Sequence, residues 1–119
     1  MTNFDDIMPE DEFWVIIQWS LERSEDMEGQ CAALLEILSY MNDNRVYAFD
    51  YQCKKLQHKA NIYPLWACAY TAMGGCSDDA FDYFKIWLVS RGKDVYEAAL
   101  QNPDTLYDEL LKLELLEDV

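Results

Sequence analysis

The sequence predicts an all-α fold, a compact bundle of six to seven short helices around one buried central helix at about residues 63–74. Along most of the chain, apolar residues recur three and four positions apart, which is the spacing of one helix face. No stretch alternates apolar and polar residues as a strand does, and no Asn-Gly hairpin signal occurs. These two observations favour helices throughout.

A third observation concerns residues 60–77, which carry no charged side chain although 27% of the chain is charged. A helix that is apolar on every side belongs inside a protein or inside a membrane. Pro64 and Gly74 leave only about ten helical residues between them, whereas a bilayer needs roughly 20. We therefore predict that this segment is the buried central helix of a soluble domain.

The first three predicted helices each carry an apolar stripe. Pro9 suits a first helical turn, and the acidic residues that follow it suit the positive end of a helix dipole. Asn42 and its neighbours mark a break by their capping side chains. The three stripes are Phe13, Ile16, Ile17, Ser20 and Leu21; Met27, Cys31, Leu34, Leu35, Leu38 and Met41; and Val46, Phe49, Cys53, Leu56 and Ala60.

The later helices are marked by their ends. Gly74 and Gly75 predict a left-handed stop after the central helix, and Ser77 predicts the cap of the next one. Asp94 and Glu97 have the spacing of a capping box. The stripes of these helices are Phe81, Phe84, Trp87, Leu88 and Arg91; Val95, Ala98, Ala99 and Leu100; and Leu106, Leu110 and Leu113, with a second ridge of Tyr107, Leu111 and Leu115.

Length and charge limit the classes of function. A chain of 119 residues can bury one real core, so we predict a single helical domain over 1–119 with a loose lead-in at 1–8. Acids near both ends of the sequence give a net charge of -14, which repels nucleic-acid phosphates and anionic membranes. We therefore expect neither a nucleic acid nor a membrane as partner.

The beginning of the sequence lacks the basic and apolar regions of a signal peptide, so we expect a cytoplasmic protein. Four cysteines form no C-x-x-C pair, and in that compartment we expect reduced core thiols. No zinc spacing, phosphate-binding loop or dinucleotide fingerprint occurs, so we expect no cofactor and no metal. The cysteines are Cys31, Cys53, Cys68 and Cys76.

Several motifs together resemble the bacterial domain-of-unknown-function family 4240. They are Phe13-Trp14 with Ile17, Leu65-Trp66-Ala67, Ala69-Tyr70, Gly74-Gly75-Cys76-Ser77-Asp78-Asp79, Phe81-x-Tyr83-Phe84-x-x-Trp87-Leu88, Gly92-Lys93, and Ala98-Ala99-Leu100-x-Asn102-Pro103-Asp104-x-Leu106. The resemblance covers nearly the whole chain and implies a helical bacterial domain. The family has no established activity to carry over to this sequence.

The sharpest local motif is Gly-Gly-Cys-Ser-Asp-Asp at 74–79. One interpretation is a site for a small hydrolase or ligand-binding regulator, because a helix start lowers a thiol pKa. The neighbouring carboxylates oppose that effect, and the motif also suits a plain turn with a capped helix. The residues of this alternative site are Cys76, Ser77, Asp78, Asp79 and Asp82.

The function that we predict first is binding without catalysis, so no catalytic residue is assigned. A small acidic protein of this kind suits an immunity or antitoxin-like inhibitor of a basic partner protein. We expect a monomer or a weak homodimer formed by the last helix. The candidate partner contacts are Asp104, Tyr107, Asp108, Glu109 and Glu114, with Glu10, Asp11 and Glu12 as a second patch.

Overall fold

The computed structural model describes residues 8–107, 109 and 110. Within these residues it contains six α-helices, one 3-10 turn at Pro103–Leu106 and no strand, which confirms the predicted all-α fold. The candidate contacts Asp108 and Glu114 lie outside the described residues, as do the predicted leucines beyond Leu110. The helices are α1 Glu10–Glu22, α2 Met27–Ser39, α3 Asp43–Lys59, α4 Tyr63–Met73, α5 Asp78–Ser90 and α6 Lys93–Gln101.

Local sequence explains most helix boundaries. The Ser77 hydroxyl accepts a hydrogen bond from the amide of Ala80 at 3.2 Å and so caps α5 as predicted. Gly74 ends α4 with φ of 67°, which is the left-handed stop expected there. The predicted capping box was wrong, because α6 already begins at Lys93 after Gly92, whose φ is 99°. Asp94 therefore lies inside the first turn and does not cap the helix.

Helix α1 packs deeply into the core. Its predicted stripe is buried, with Phe13 at 0% and Ile17 at 3% exposure, except for Leu21, which is half-buried. Trp14, which sequence placed beside the stripe, is also buried, and its ring lies 5.3 Å from the ring of Tyr96. Helices α2 and α3 pack on α1, and α5 packs on α3. The core therefore forms around α1 and α5, from which most of its large side chains come.

Helix α4 was predicted to be buried on all sides, and this prediction was wrong. It buries Leu65 and Ala69, one turn apart, whereas Tyr63 is 75% exposed and Tyr70 is 49% exposed. The rings of these two tyrosines flank Trp66 at 5.8 and 5.2 Å on the outer surface. A segment without charge is thus a peripheral helix with one buried edge, and its other apolar side chains contact solvent or line a groove.

The predicted stripe of α2 was wrong in part. Gln30 and Ala33 are its buried residues, while Cys31 is exposed and Leu35 is 69% exposed. The helix is rotated so that Gln30 faces the core, and of the predicted stripe Leu34 and Met41 pack partly against it. The expectation of a core thiol therefore fails at Cys31, although all four cysteines are free thiols as predicted.

The buried amide of Gln30 explains this rotation. Its Nε2 donates to Ser20 Oγ at 3.1 Å and to the carbonyl oxygen of Ser90 at 2.8 Å. Its Oε1 accepts a hydrogen bond from Arg91 Nη2. One side chain thereby joins α1, α2 and the end of α5, and it satisfies a carbonyl that a helix end leaves unpaired. Because buried polar groups are costly when unpaired, this junction fixes the three helices relative to one another.

We predict that Gln30→Ala lowers the free energy of unfolding by about 2–3 kcal/mol, because it removes three hydrogen bonds and leaves buried groups unpaired. Urea unfolding followed by circular dichroism measures this change. Gln101→Ala is the matched control, since Gln101 is exposed on α6, and we expect it to change stability by less than about 0.5 kcal/mol. Equal losses in the two variants would contradict a stabilising role for the junction.

Tyr96 ties α6 to α3. It is 1% exposed, and its hydroxyl donates to the carbonyl oxygen of Leu56 at 2.7 Å. Burial, with smaller contributions from Glu10 and Glu97, raises the pKa of Tyr96 to about 12. The phenol consequently keeps its proton in the folded protein over a pH range in which an unfolded tyrosine loses it.

This difference predicts an alkaline loss of stability. An unfolded tyrosine ionises near pH 10, so between pH 10 and about 12 the unfolded state binds fewer protons and the free energy of unfolding falls. Below pH 10, Tyr96→Phe should cost about 1 kcal/mol for its lost hydrogen bond. By pH 11 the wild-type advantage should have fallen by about 1 kcal/mol.

Guanidinium unfolding of both proteins between pH 8 and 11 tests this prediction. Tyr51→Phe is the control, because Tyr51 is 68% exposed, and its stability profile should run parallel to the wild type. A parallel profile for Tyr96→Phe as well would mean that the buried phenol does not cause the alkaline loss.

Candidate functional site

An apolar groove lies between α4, α5 and the Pro103–Leu106 turn, and we call it the α4–α5 groove. Its cavity volume is about 1290 Å³. Helix α4 contributes Pro64, Ala67, Cys68, Thr71, Ala72 and Met73, and α5 contributes Ala80, Tyr83, Phe84 and Trp87. The end of the described chain contributes Asn102, Pro103, Asp104, Tyr107 and Leu110.

The groove results from the side-chain sizes on its two helical walls. Positions 64, 67, 68, 71 and 72 follow one face of α4, and most of them hold small side chains. Positions 80, 83, 84 and 87 follow one face of α5, and three of them are aromatic. The tight turn at Gly74 folds the two helices back on each other. Small residues facing large ones leave a channel that the described residues do not fill.

The groove offers an apolar surface rather than a reactive set of side chains. Burial, reinforced by Asp104, raises the pKa of the Cys68 thiol and so keeps it in its weakly nucleophilic neutral form. Its sulfur lies 3.9 Å from the carbonyl oxygen of Pro103. The indole Nε1 of Trp87 is buried and has no hydrogen-bond partner within the described part of the chain. Among residues 8–107, 109 and 110, no group of three or more His, Cys, Asp or Glu could hold a metal ion.

The structure brings part of the predicted contact set to this groove. Asp104 and Tyr107 both line it, and Tyr107 is 68% exposed. Glu109 is half-buried and acts on Arg91, raising a guanidinium pKa that burial lowers. Thus Asp104 and Tyr107 lie at the groove, and the carboxylate of Glu109 lies close enough to the end of α5 to affect Arg91.

The second predicted patch, on α1, is already engaged within the molecule. Glu10 accepts a hydrogen bond from Trp14 Nε1 at 3.3 Å, and Glu12 pairs with Arg45. Asp11 is exposed beside them. None of these three acids lines the α4–α5 groove. Of the two predicted patches, the second therefore lies outside the groove that Asp104 and Tyr107 line.

The residues of the alternative site at 76–82 lie at the turn before α5 and in its first turns. Ser77 caps α5, and the Cys76 thiol lies 3.6 Å from the carbonyl oxygen of Ser77. Asp78 and Asp79 are exposed in the first turn of α5. Asp82 pairs with Lys85 at 3.1 Å. These side chains serve the turn and its helix, and none of them lines the α4–α5 groove.

Sequence reasoning missed the walls of the groove. Ala67, Ala72 and Tyr83 were not candidates, because the first two were assigned to a buried helix and the third to no site. A signal for them existed in the small side chains that recur on one face of α4 directly before a glycine turn. This pattern of small residues could not be interpreted as a groove wall without knowing which face of α4 packs on the core.

The fold and the groove define a small acidic all-α protein with an apolar channel on its surface. The chain belongs to the family described as Protein of unknown function (DUF4240), whose profile matches residues 8–117, and this confirms the resemblance in its motifs. Comparison with curated proteins and with solved structures gives no match. In the described part of the chain, the helices are too short or too polar for any of them to cross a membrane.

Proposed function

We propose that this protein is a small acidic binding protein without catalysis, which inhibits a basic partner protein by holding an amphipathic helix of that partner in the α4–α5 groove. An immunity or antitoxin-like role fits this description. The observation that carries the proposal is an apolar groove with one acid in its lining and two more in the first turn of α5, in a chain with a net charge of -14.

The shape of the groove supports a helical ligand. Its α5 wall runs from Ala80 to Trp87, which corresponds to about 10 Å along a helix axis. A partner helix of two to three turns presents apolar side chains at positions i, i+3, i+4 and i+7 over a similar length. Such a helix would cover the aromatic rings of α5 and the alanines of α4 together.

The charge around the groove supports a basic partner. Asp104 lies in the lining and acts on Cys68, and Asp78 and Asp79 lie in the same helical turn as the lining residue Ala80. An acidic surface raises the association rate of a basic protein and places its lysines and arginines beside these carboxylates. A partner helix bound in the groove brings the acidic surface of this protein against the rest of the partner. That surface then covers part of the partner's active site.

A synthetic 18-residue peptide with leucines on one helical face and lysines on the other is the probe for this proposal. We expect it to bind the protein, and we expect the affinity to fall steeply between 50 and 500 mM salt because exposed charges are screened. Ala72→Glu should weaken binding at least tenfold, since it places a carboxylate in the apolar lining. Isothermal titration calorimetry measures both effects.

Ala32→Glu is the matched control, because Ala32 is an exposed helical alanine on α2 and the substitution adds the same charge outside the groove. It should bind the peptide as well as the wild type or slightly better. Equal affinity of the Ala72 and Ala32 variants would show that the peptide does not use the groove. Affinity that stays constant as salt rises would refute the role of the acids.

A further inference from the structure

We infer that the outer face of α4 is the surface through which two copies of this chain form a weak antiparallel dimer. Four side chains, three or four positions apart, lie within about 80° of one another around the helix axis. We call them the α4 outer row: Tyr63, Trp66, Tyr70 and Met73. Met73 also lines the α4–α5 groove, whereas the three aromatic residues do not. The contact does not depend on the proposed inhibition.

The outer row leaves large apolar side chains in contact with solvent. Tyr63 is 75% exposed, Tyr70 is 49% exposed and Met73 is 48% exposed. Trp66 is half-buried, with the two tyrosine rings on either side of it. Because aromatic side chains carry about 150–250 Å² each, the row presents roughly 400 Å² to solvent. Aromatic residues and methionine are also enriched at protein interfaces, so the row has the composition of an interface.

The absence of charge on this face favours a second copy as its occupant. Of the six helices that the structure describes, α4 alone carries no charged side chain, and the uncharged stretch extends over residues 60–77. Elsewhere, a second copy of a chain with a net charge of -14 mostly meets acids. Two copies that meet through the outer row bring no like charges into direct contact. A basic partner is not favoured here, because the face offers it no acid to pair with.

The order of the side chains fits an antiparallel arrangement. A two-fold dimer uses the same patch twice, so a contact between residues i and j recurs as one between j and i. If the axis passes α4 at the level of position 68, Trp66 faces Tyr70 of the second copy and Tyr63 faces its Met73. Aromatic rings attract one another, and a methionine sulfur packs favourably against an aromatic ring. A parallel dimer would instead pair each residue with itself.

The charges that flank α4 favour the same arrangement. The basic end of α3, with His58 and Lys59, precedes the helix, and the acidic start of α5, with Asp78 and Asp79, follows it. All four side chains are exposed. In an antiparallel dimer, the segment that precedes α4 in one copy approaches the segment that follows α4 in the other. Opposite charges therefore meet at both ends of the row, whereas a parallel dimer would bring acid beside acid.

The size of the row predicts a weak dimer. Two rows together bury about 800 Å², which is less than the roughly 1,200 Å² of the smallest stable specific interfaces. We therefore expect a dissociation constant on the order of 100 µM. Sedimentation equilibrium between 10 µM and 1 mM protein measures this constant. The protein should be mostly monomeric at the lowest concentration and mostly dimeric at the highest. A monomer at every concentration would overturn the inference and leave the face to another protein.

The double substitution Tyr63→Ser with Tyr70→Ser removes two exposed rings of the row. It should raise the dissociation constant at least tenfold and leave the circular dichroism spectrum unchanged, because neither residue is in the core. Tyr47→Ser with Tyr51→Ser is the matched control, since these tyrosines are 71% and 68% exposed and lie one turn apart on α3. It should change the constant by less than twofold. Equal constants in the two double variants would contradict the role of the row.

Asp79→Lys tests the flanking charges, because it shifts the net charge toward zero. Repulsion between whole molecules alone would then give a tighter dimer. Contact with Lys59 of the second copy predicts the opposite, a dimer at least threefold weaker in 50 mM salt, and Lys59→Glu in the same chain should reverse the loss. Glu28→Lys is the control, since Glu28 is an exposed acid in the first turn of α2. A tighter dimer with Asp79→Lys, or equal weakening by Glu28→Lys, would refute the antiparallel contact.

Disulfide formation reports the relative direction of the two helices and needs no loss of affinity. The Tyr63→Cys and Met73→Cys variants are mixed in equal amounts and oxidised with diamide, which takes up two hydrogens for each disulfide formed. Peptide mass spectrometry should find position 63 joined to position 73 at least fivefold more often than 63 to 63 or 73 to 73. Cys31, which is exposed on α2, gives the rate of random pairing. Preferred pairing of like positions, or pairing at the Cys31 rate, would overturn the antiparallel dimer.

Discussion

The buried amide of Gln30 is the interaction on which the arrangement of this protein depends. Its donors and its acceptor are all used, by side chains or backbone from α1 and from the end of α5. A buried polar group that is satisfied at three points tolerates little displacement, because each lost hydrogen bond leaves an unpaired group in the interior. The amide therefore sets the rotation of α2 and the position at which α5 ends.

The position of α5 determines the site. One side of this helix packs Phe81 and Leu88 into the core, and the neighbouring side presents Tyr83 and Trp87 to the groove. Since the first side is held by the core and by the junction at Gln30, the second side is presented as a fixed wall. Helix α4 is attached to that wall by a short glycine turn and by one buried edge, so its alanine face completes the channel.

Periodicity and capping chemistry predicted the helices and several of their ends, because these depend on local sequence. Ser77 and Gly74 are examples in which a single residue type determines a helix boundary. Burial could be predicted only where the apolar residues of a helix pack in the core and do not line a groove or lie on the surface. On α2 the most deeply buried large side chain is Gln30, while Leu34 is only partly buried and Leu35 is exposed. On α4 the uncharged surface belongs largely to a groove and to an outer row of aromatics. The hydrophobicity of a side chain indicates that contact with water is unfavourable for it. It does not indicate which other part of the protein, or which ligand, covers that side chain.

The groove and the charge act together, and neither has the same effect alone. An apolar channel on a neutral protein would invite self-association, because exposed apolar surface is removed from water by any similar surface nearby. A net charge of -14 opposes the approach of a second copy to the channel, because like charges repel. The same charge attracts a cationic segment, which is why the proposed partner helix is basic. In that proposal the charge favours the encounter, and the apolar walls of the groove supply the contact area.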